Sequence, residues 1–366
     1  MGFADHWYER EVFEVVFDIA KSYNPEQIVY CNDEESGLRA IIVIHDTTFG
    51  PAAGGTRMYD YPSEEAALTD ALRLAQGMTR KCAMARAGVG GAKAVIMGDP
   101  GDKTEAMLRS YGRFVERLNG VFITGNDVNI LFEDAKIIAE ETGHVLGASD
   151  RLGPSAPVTS HGVFCGMRAC VEEIYGGSDM NGLTVAVQGM GSVGYELARE
   201  LHREGAQLIV TDINDTAAAR AAEEFGARVV AADEIYGVEA DVFAPCAMGA
   251  VINDSTIEQL RCRIVAGAAN NQLATCAHGD ELFRRGILYA PDYVVNAGGA
   301  IYVRLERTEP EATSQTLIAA VEIIGETMEE VIATAKAKNA PTHSTADQIA
   351  DERVLREKER KCVGKN

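Results

Sequence analysis

The sequence predicts a two-domain α/β protein, and three of its features lead to this prediction. A chain of 366 residues is longer than one hydrophobic core usually organises. Strand-like and helix-like segments alternate along most of it, as in α/β folds. The stretch Gly153-Pro154-Ser155-Ala156-Pro157 separates two such series and is typical of an inter-domain hinge. We expect one domain over residues 1–150, completed by C-terminal helices at about 331–366, and a second over residues 151–330.

The first elements of the chain place a lysine at a helix end. A β-branched apolar run from Leu38 to Ile44 predicts a buried strand. Ser63 is a candidate helix N-cap, because Glu64 and Glu65 follow where the helix dipole favours negative charge. Apolar residues at helical spacing after it predict an amphipathic helix that carries Lys81 close to its end.

The next elements place two more polar residues. The glycine-rich stretch from Gly88 to Lys93 runs into the strand-like segment Ala94 to Met97, and a turn follows. Apolar residues from Met107 to Leu118 have helical spacing and predict a second amphipathic helix. A short strand is predicted from Val121 to Thr124, and Asp127 follows its end.

The second half predicts a doubly wound domain. A helix from about Ser160 to Tyr175 leads into successive buried strands, which we expect to be parallel. These strands are Leu183 to Val187, Gln207 to Thr211, Val242 to Ala244 and Ile264 to Ala266. The tail from about Glu311 to Lys361 has a helical composition.

A glycine motif marks a dinucleotide site in this second half. Gly189-Met190-Gly191-Ser192-Val193-Gly194 is a G-x-G-x-x-G sequence between a strand and a helix. In this pattern the glycines permit a tight turn, close approach to a pyrophosphate, and helix–strand packing. Asp212 ends the next strand, where it can accept hydrogen bonds from both ribose hydroxyls. Its charge would repel a 2′-phosphate and Ile213-Asn214-Asp215 offers no cation, so NAD is favoured over NADP.

Composition excludes several other classes of function. A net charge of −21 disfavours nucleic acid or an anionic membrane as partner. The longest apolar runs are too short to span a bilayer. Acidic residues at Asp5, Glu9 and Glu11 do not suit a signal peptide, so we expect a cytoplasmic protein. The cysteines and histidines form no C-x-x-C or H-E-x-x-H motif, and no metal is expected.

Two lysines and a carboxylate form the candidate chemical site. Lys81 and Lys93 both lie beside small residues that leave room for a ligand, and Gly54, Gly55 and Asp127 accompany them. A lysine in a desolvated cleft next to a second cation has a lowered pKa, which a general base near neutral pH requires. Either lysine alone would usually be a solvated surface residue, so the prediction depends on the whole group.

Several segments in combination resemble the leucine, phenylalanine, valine and tryptophan dehydrogenase branch of the glutamate dehydrogenase superfamily. They are Gly50-Pro51-Ala52-Ala53-Gly54-Gly55-Thr56-Arg57, Gly77-Met78-Thr79-Arg80-Lys81, Gly90-Gly91-Ala92-Lys93, Thr124-Gly125-Asn126-Asp127-Val128-Asn129, the nucleotide loop, Ala244-Pro245-Cys246-Ala247-Met248-Gly249 and Asn296-Ala297-Gly298-Gly299. The resemblance runs from about Gln27 to the C-terminal helices.

The resemblance implies oxidative deamination of an L-amino acid to its 2-oxo acid, in a cleft between a catalytic and an NAD-binding domain. It implies that Lys81 binds the substrate carboxylate with help from Asn271. It further implies that Lys93 is the general base that activates water and that Asp127 transfers protons.

The resemblance also assigns cofactor contacts and an assembly. Thr159 matches a residue beside the nicotinamide, and Asn296 is expected at the cofactor. Relatives are homo-oligomers, so we expect one here. Ala92 stands where the family usually has a glycine, which would restrict the chain if that position needs positive φ.

Substrate preference is expected to depend on four pocket positions. Leucine-specific members tend to have Leu, Ala, Val and Val there, and this chain has Ala53, Gly125, Ala300 and Val303. The larger pocket that results favours an aromatic substrate, Phe or Trp. A leucine/valine dehydrogenase remains the alternative, since Tyr302 or another bulky side chain could refill the space.

Two other classes of protein share the NAD domain. A 2-hydroxy-acid dehydrogenase would need a histidine acid/base and an arginine for the carboxylate, and the lysines and Asp127 argue against it. A ligand-sensing relative without turnover is disfavoured because the ionisable residues are retained.

Overall fold

The computed structural model describes residues 16–147 and 152–363. The acidic residues Asp5, Glu9 and Glu11 and the domain boundary expected between residues 150 and 151 lie outside these ranges. The described chain forms two compact units. The first consists of residues 16–47, 51–79 and 90–147, and the second of residues 48–50, 80–89 and 152–363.

The first unit is built on a mixed seven-stranded sheet. Its elements in chain order are α1 (Val16–Ala20), β1 (Gln27–Asp33), β2 (Leu38–Asp46), β3 (Ala52–Ala53), β4 (Thr56–Tyr59), α2 (Glu64–Met84, of which the part from Arg80 belongs to the second unit), β5 (Gly90–Met97), α3 (Glu105–Arg117), β6 (Phe122–Gly125), α4 (Phe132–Ala139) and β7 (Val145–Leu146). The strand order is β1-β2-β5-β3-β6-β7, and β4 also pairs with β5. Strand β2 is antiparallel to both β1 and β5, whereas the remaining pairs are parallel.

Strand β5 is buried on both faces, and the alternation of its side chains decides where Lys93 points. Ala92, Ala94 and Ile96 join a core with the apolar residues of α3. Val95 packs instead with the apolar residues of α2. Lys93 lies two positions before Val95 and therefore shares the α2 side of the sheet.

The glycines before Lys93 lie inside β5, which begins earlier than the segment Ala94 to Met97 indicated. A Cβ at Gly90 would come within 1.9 Å of the Asp46 carbonyl oxygen, and one at Gly91 within 2.1 Å of the Thr79 nitrogen. Glycine is therefore required here for close approach of neighbouring backbones. Ala92 pairs with Ile44 in the sheet and has no positive φ, so the restriction considered for this position does not arise.

The second unit contains a six-stranded parallel sheet with helices between its strands, which confirms the doubly wound fold. Its elements are α5 (Ala156–Tyr175), β8 (Thr184–Gln188), α6 (Ser192–Arg203), β9 (Gln207–Thr211), α7 (Asp215–Phe225), β10 (Arg228–Val229), β11 (Val242–Pro245), β12 (Ile264–Val265), α8 (Cys276–Arg284), β13 (Leu288–Tyr289), α9 (Asp292–Val295), α10 (Gly298–Thr308), α11 (Ser314–Val321), α12 (Ile323–Lys338) and α13 (Thr342–Val363). The order β10-β9-β8-β11-β12-β13 is, by appearance in the chain, the 3-2-1-4-5-6 order of dinucleotide-binding folds.

The sequence located four of the six strands of this unit. The four predicted strands correspond to β8, β9, β11 and β12, whereas the two-residue strands β10 and β13 were missed. The predicted start of α5 at Ser160 was wrong, because the helix begins at Ala156 inside the expected hinge. Pro157 lies in its first turn, where a proline needs no N–H donor. In the described ranges no helix is long and apolar enough to cross a membrane.

Candidate active site

In the first unit, glycines bring the backbones that carry Lys93 and Asp127 together. Strand β3 lies between β5, which carries Lys93, and β6, which Asp127 follows. A Cβ on Gly54 would lie 1.8 Å from the Ala92 carbonyl oxygen, and one on Gly55 would lie 2.9 Å from Cβ of Asp127. Only glycine at both positions allows this convergence.

Lys93 and Asp127 form an ion pair in which the lysine is buried and the carboxylate is partly buried. The Lys93 residue is 6% exposed, and its Nζ lies 2.7 Å from Oδ2 of Asp127. Burial lowers the pKa of Lys93, and the carboxylate of Asp127 offsets this only in part. Burial by itself would raise the pKa of Asp127, but the charges of Lys93 and Arg57 prevail and hold that pKa below its ordinary value. The pair therefore combines a lysine ammonium that loses its proton more readily than in water with an ionised carboxylate.

Arg57 is a second cation at Asp127 that the sequence reasoning did not single out. Its Nε lies 2.9 Å from Oδ2 of Asp127, and its Nη1 lies 3.0 Å from Oδ2 of Asp70 on α2. Asp70 in turn accepts hydrogen bonds from Tyr61 and Arg73. The only sequence signal was the position of Arg57 in the segment that begins at Gly50, which does not say which carboxylates the side chain meets.

In the second unit, Lys81 is held by Asn296. The Lys81 ammonium donates to Oδ1 of Asn296 at 2.7 Å, and Asn296 is 3% exposed. The Asn296 amide donates to the Ala268 carbonyl and to Oδ1 of Asn270. The family resemblance implies a cofactor contact for Asn296, and nothing in the sequence indicates its contact with Lys81. Asn271 has a left-handed backbone with φ 52°, and it is the preceding Asn270 that reaches Asn296.

The nucleotide loop has the geometry that the glycine motif requires. A Cβ on Gly194 would lie 2.0 Å from the Gly189 carbonyl oxygen, so helix α6 and the end of β8 can be this close only with glycine. A Cβ on Gly191 would meet no atom within 4 Å in the described structure, which leaves open space in front of the helix. Within the described residues no side chain caps α6 at Gly191, and Ser192 beside it is exposed. The first N–H groups of α6 can therefore bind an anion.

Asp212 anchors this loop from the end of β9. Its Oδ2 accepts a hydrogen bond from the Met190 N–H at 2.6 Å, and its Oδ1 accepts one from the Asn214 N–H at 2.7 Å. A carboxylate oxygen has a second lone pair, so both remain able to accept hydrogen bonds from ribose hydroxyls. Ile213 is 97% exposed and Val193 is half-buried.

The remaining candidate residues lie on each unit as follows. Ala53, 4% exposed, and Gly125 end neighbouring strands of the first unit. Ala300, 8% exposed, and Val303 are on α10 of the second unit. Thr159, in the first turn of α5, packs beside Gly298 at the start of α10. Among residues 16–147 and 152–363, no group of three or more His, Cys, Asp or Glu side chains could hold a metal ion.

Known proteins resemble this chain over almost its whole length. Residues 25–149 match the family model of the Glu/Leu/Phe/Val dehydrogenase dimerisation domain, and residues 210–361 match that of Glutamate/Leucine/Phenylalanine/Valine dehydrogenase. Leucine dehydrogenase of Geobacillus stearothermophilus is 52% identical, covering 93% of both chains. Phenylalanine dehydrogenase of Lysinibacillus sphaericus is 45% identical, covering 89% of this chain and 90% of the relative. The crystal structure of L-tryptophan dehydrogenase from Nostoc punctiforme superposes with a TM-score of 0.84 at 44% identity, covering 94% of this chain and all of that one. The chain therefore belongs to the glutamate/leucine/phenylalanine/valine dehydrogenase family and is an amino-acid dehydrogenase that uses a nicotinamide cofactor.

Proposed function

We propose that the protein oxidatively deaminates a hydrophobic L-amino acid, preferably phenylalanine or tryptophan, to its 2-oxo acid and ammonia, with NAD as oxidant. The observation that carries this proposal is the ion pair of Lys93 and Asp127 at 2.7 Å. A lysine whose pKa burial lowers can take a proton from water near neutral pH, and an ionised carboxylate beside it can receive and return protons.

Each ionisable group has one role in this scheme. The Lys81 ammonium, held by Asn296, binds the substrate carboxylate through a charge-assisted hydrogen bond, with Asn271 assisting. NAD bound by the second unit would supply the acceptor for the hydride that leaves the α-carbon. Lys93 then acts as general base for the water that attacks the resulting iminium carbon. Asp127 transfers protons as the carbinolamine forms and ammonia leaves.

The second unit has the residues to hold NAD. The N-terminus of α6, with open space in front of Gly191, suits a pyrophosphate. The Asp212 carboxylate suits unmodified ribose hydroxyls, and the exposed Ile213 and Asn214 that follow provide no cation for a 2′-phosphate. NAD should therefore be preferred over NADP. Thr159 and Asn296 are the further cofactor contacts that we propose.

Small side chains support the aromatic preference. Ala53, Gly125 and Ala300 are smaller than the residues that leucine-specific members have at these positions, so more volume is left for a substrate side chain. Tyr302, which could have refilled that volume, is buried, and its hydroxyl donates to the carbonyl of Gly153. Val303 completes the proposed pocket.

A branched-chain substrate is the second candidate, because overall identity favours it. The chain is 52% identical to a leucine dehydrogenase and 45% identical to a phenylalanine dehydrogenase. Overall identity is an average over the whole chain, however, and one methylene in a pocket changes selectivity by about 1–3 kcal/mol. The residues at the pocket positions are therefore better evidence on the substrate than the overall sequence identity.

We further propose a homo-oligomer that acts on a small molecule, without a nucleic-acid or membrane partner, and a cytoplasmic location. The match of residues 25–149 to a dimerisation domain supports self-association. The net charge of −21 argues against polyanionic partners.

A spectrophotometric screen tests the function. NADH formation is followed with Phe, Trp, Tyr, Leu, Val, Ile and Glu, and the best substrate is then tested with NADP. We expect the highest kcat/KM with Phe or Trp, and a lower value with NADP than with NAD. Preference for Leu or Val would select the second candidate. Turnover of a 2-hydroxy acid, or a reverse reaction independent of ammonia, would contradict the reaction itself.

A further inference from the structure

Both cations that contact Asp127 use the same carboxylate oxygen. Nζ of Lys93 lies 2.7 Å from Oδ2, and Nε of Arg57 lies 2.9 Å from it. In the described part of the chain, both ion pairs of this carboxylate end on Oδ2, and Oδ1 takes part in neither. One oxygen is thus shared by two positive charges.

Arg57 is itself fixed from the other side. Its Nη1 lies 3.0 Å from Oδ2 of Asp70, and Asp70 also binds the Tyr61 hydroxyl at 2.8 Å and Arg73 at 3.0 Å. The side chains of Arg57 and Asp70 are 21% and 17% exposed. A guanidinium can span two carboxylates with separate nitrogens, whereas an ammonium is a single point of charge. The position of Arg57 is therefore determined independently of Lys93.

We propose that Arg57 is a positioning residue of the deamination reaction: it holds Asp127 ionised through Oδ2, competes with Lys93 for that oxygen, and leaves Oδ1 for proton transfer with the substrate. This inference rests on the roles proposed above for Lys93 and Asp127. A lysine paired alone with a buried carboxylate would be stabilised as an ammonium and would be a poor base. Consistent with this role, the charge of Arg57 lowers the pKa of Lys93, whereas Asp70 raises it.

The test is the pH dependence of kcat for the best substrate of the screen, at saturating NAD. Because Lys93 must be neutral to act, kcat should rise with pH on an acidic limb. Arg57→Gln removes a charge that keeps the pKa of Lys93 low, so the limb should move to higher pH. At neutral pH we expect kcat to fall about ten- to a hundredfold, the effect of losing one charge-assisted hydrogen bond, with a smaller change in substrate KM.

Two further variants separate this electrostatic role from damage to the fold. Asp70→Asn removes a carboxylate that raises the pKa of Lys93. The acidic limb of the kcat profile of this variant should therefore move to lower pH, in the opposite direction to the limb of Arg57→Gln. Arg73→Gln is the matched control, because Arg73 contacts Asp70 but not Asp127, and it should keep the wild-type profile. If Arg57→Gln does not fold, Arg57→Lys decides, because an ammonium cannot span Asp127 and Asp70 with separate nitrogens. A lower kcat with little change in KM supports the role of Arg57, and a wild-type kcat and pH profile overturns it.

Lys93→Ala, measured in parallel, distinguishes the two levels of inference. Near-normal kcat in that variant refutes the proposed role of Lys93. A severe loss in Lys93→Ala together with an unmoved limb in Arg57→Gln leaves the proposed function standing and overturns the role of Arg57 alone.

Discussion

Burial gives single residues of this protein properties that their side chains lack in water. Lys93 is almost fully buried on β5, and desolvation of its ammonium lowers the pKa even beside a carboxylate. Asp127, which is only partly buried, stays ionised because two cations contact one of its oxygens. On an exposed helix, Lys and Asp side chains would have their ordinary pKa values and would not be suited to proton transfer near neutral pH.

The lysines and the carboxylate were recognisable from the sequence, but their partners were not. From the sequence, Lys81 is the second cation expected beside Lys93. In the first unit Arg57 is the second cation that contacts Asp127, and in the second unit Lys81 binds Asn296. Arginine is common on protein surfaces, and its local sequence does not show which carboxylate it meets.

Selectivity should change when the proposed pocket is filled at Ala53. Ala53→Leu adds about three heavy atoms at a buried position, and overpacking of a close-fitting apolar site costs about 1–3 kcal/mol. Aromatic turnover should fall while turnover of leucine is spared, which shifts selectivity by roughly ten- to a hundredfold. The measurement is kcat/KM for Phe, Trp and Leu in both proteins at saturating NAD.

A smaller substitution at Ala53 and a thermal melt distinguish a change in selectivity from a loss of stability. Ala53→Val should shift selectivity in the same direction with less change in Tm, and Ala300→Val tests a second pocket position. Equal loss with all three substrates, or a wild-type preference for leucine, would mean that these small residues do not define the specificity.

At the scale of elements, glycines determine which backbones can approach each other. Within β5, Gly90 and Gly91 allow the backbones of Asp46 and Thr79 to come close. At the start of α6, Gly194 admits the carbonyl of Gly189. The sequence showed the glycines in both places, and the strand–helix context sufficed to interpret the second group. It did not show that the first group continues a strand, because glycine has low strand propensity.

Two alanine substitutions at the nucleotide loop should separate folding from cofactor binding. Gly194→Ala would place its Cβ 2.0 Å from a backbone oxygen, so we expect a lower Tm as well as weaker NADH binding. Gly191→Ala has ordinary backbone angles, with φ −67°, and meets no atom within 4 Å. It should keep the wild-type Tm and still weaken NADH, because the Cβ occupies the space intended for the pyrophosphate. Thermal melts and fluorescence titration with NADH provide the readouts; unchanged affinity in Gly191→Ala would refute the placement of the pyrophosphate.

At the scale of the whole molecule, the sequence predicts two α/β domains, and two compact units are present, although the C-terminal helices expected to complete the first domain belong to the second unit. The alternation of strand and helix along the second half was sufficient to predict its parallel sheet. In the mixed sheet of the first unit, β3, β4 and β7 escaped notice because short strands leave little periodicity. The seven-residue β1 was missed as well, and only one of its residues, Cys31, is buried.

Self-association can be measured directly. The dimerisation-domain match over residues 25–149 leads us to expect a species whose mass is a multiple of 39.3 kDa in sedimentation experiments at micromolar concentration. Because the chain has a net charge of −21, association should strengthen as salt screens the repulsion between subunits. A monomer at every salt concentration would contradict the proposed homo-oligomer.

Local sequence by itself determined the order of most strands and helices, the dinucleotide loop and the identity of the ionisable residues. These are properties of neighbours along the chain, which periodicity and glycine spacing report. The contact of Arg57 with Asp127 joins residues 70 positions apart, and that of Lys81 with Asn296 joins residues 215 positions apart. Only the tertiary structure decides such contacts, because they depend on which strands become neighbours in a sheet and on which face each side chain emerges.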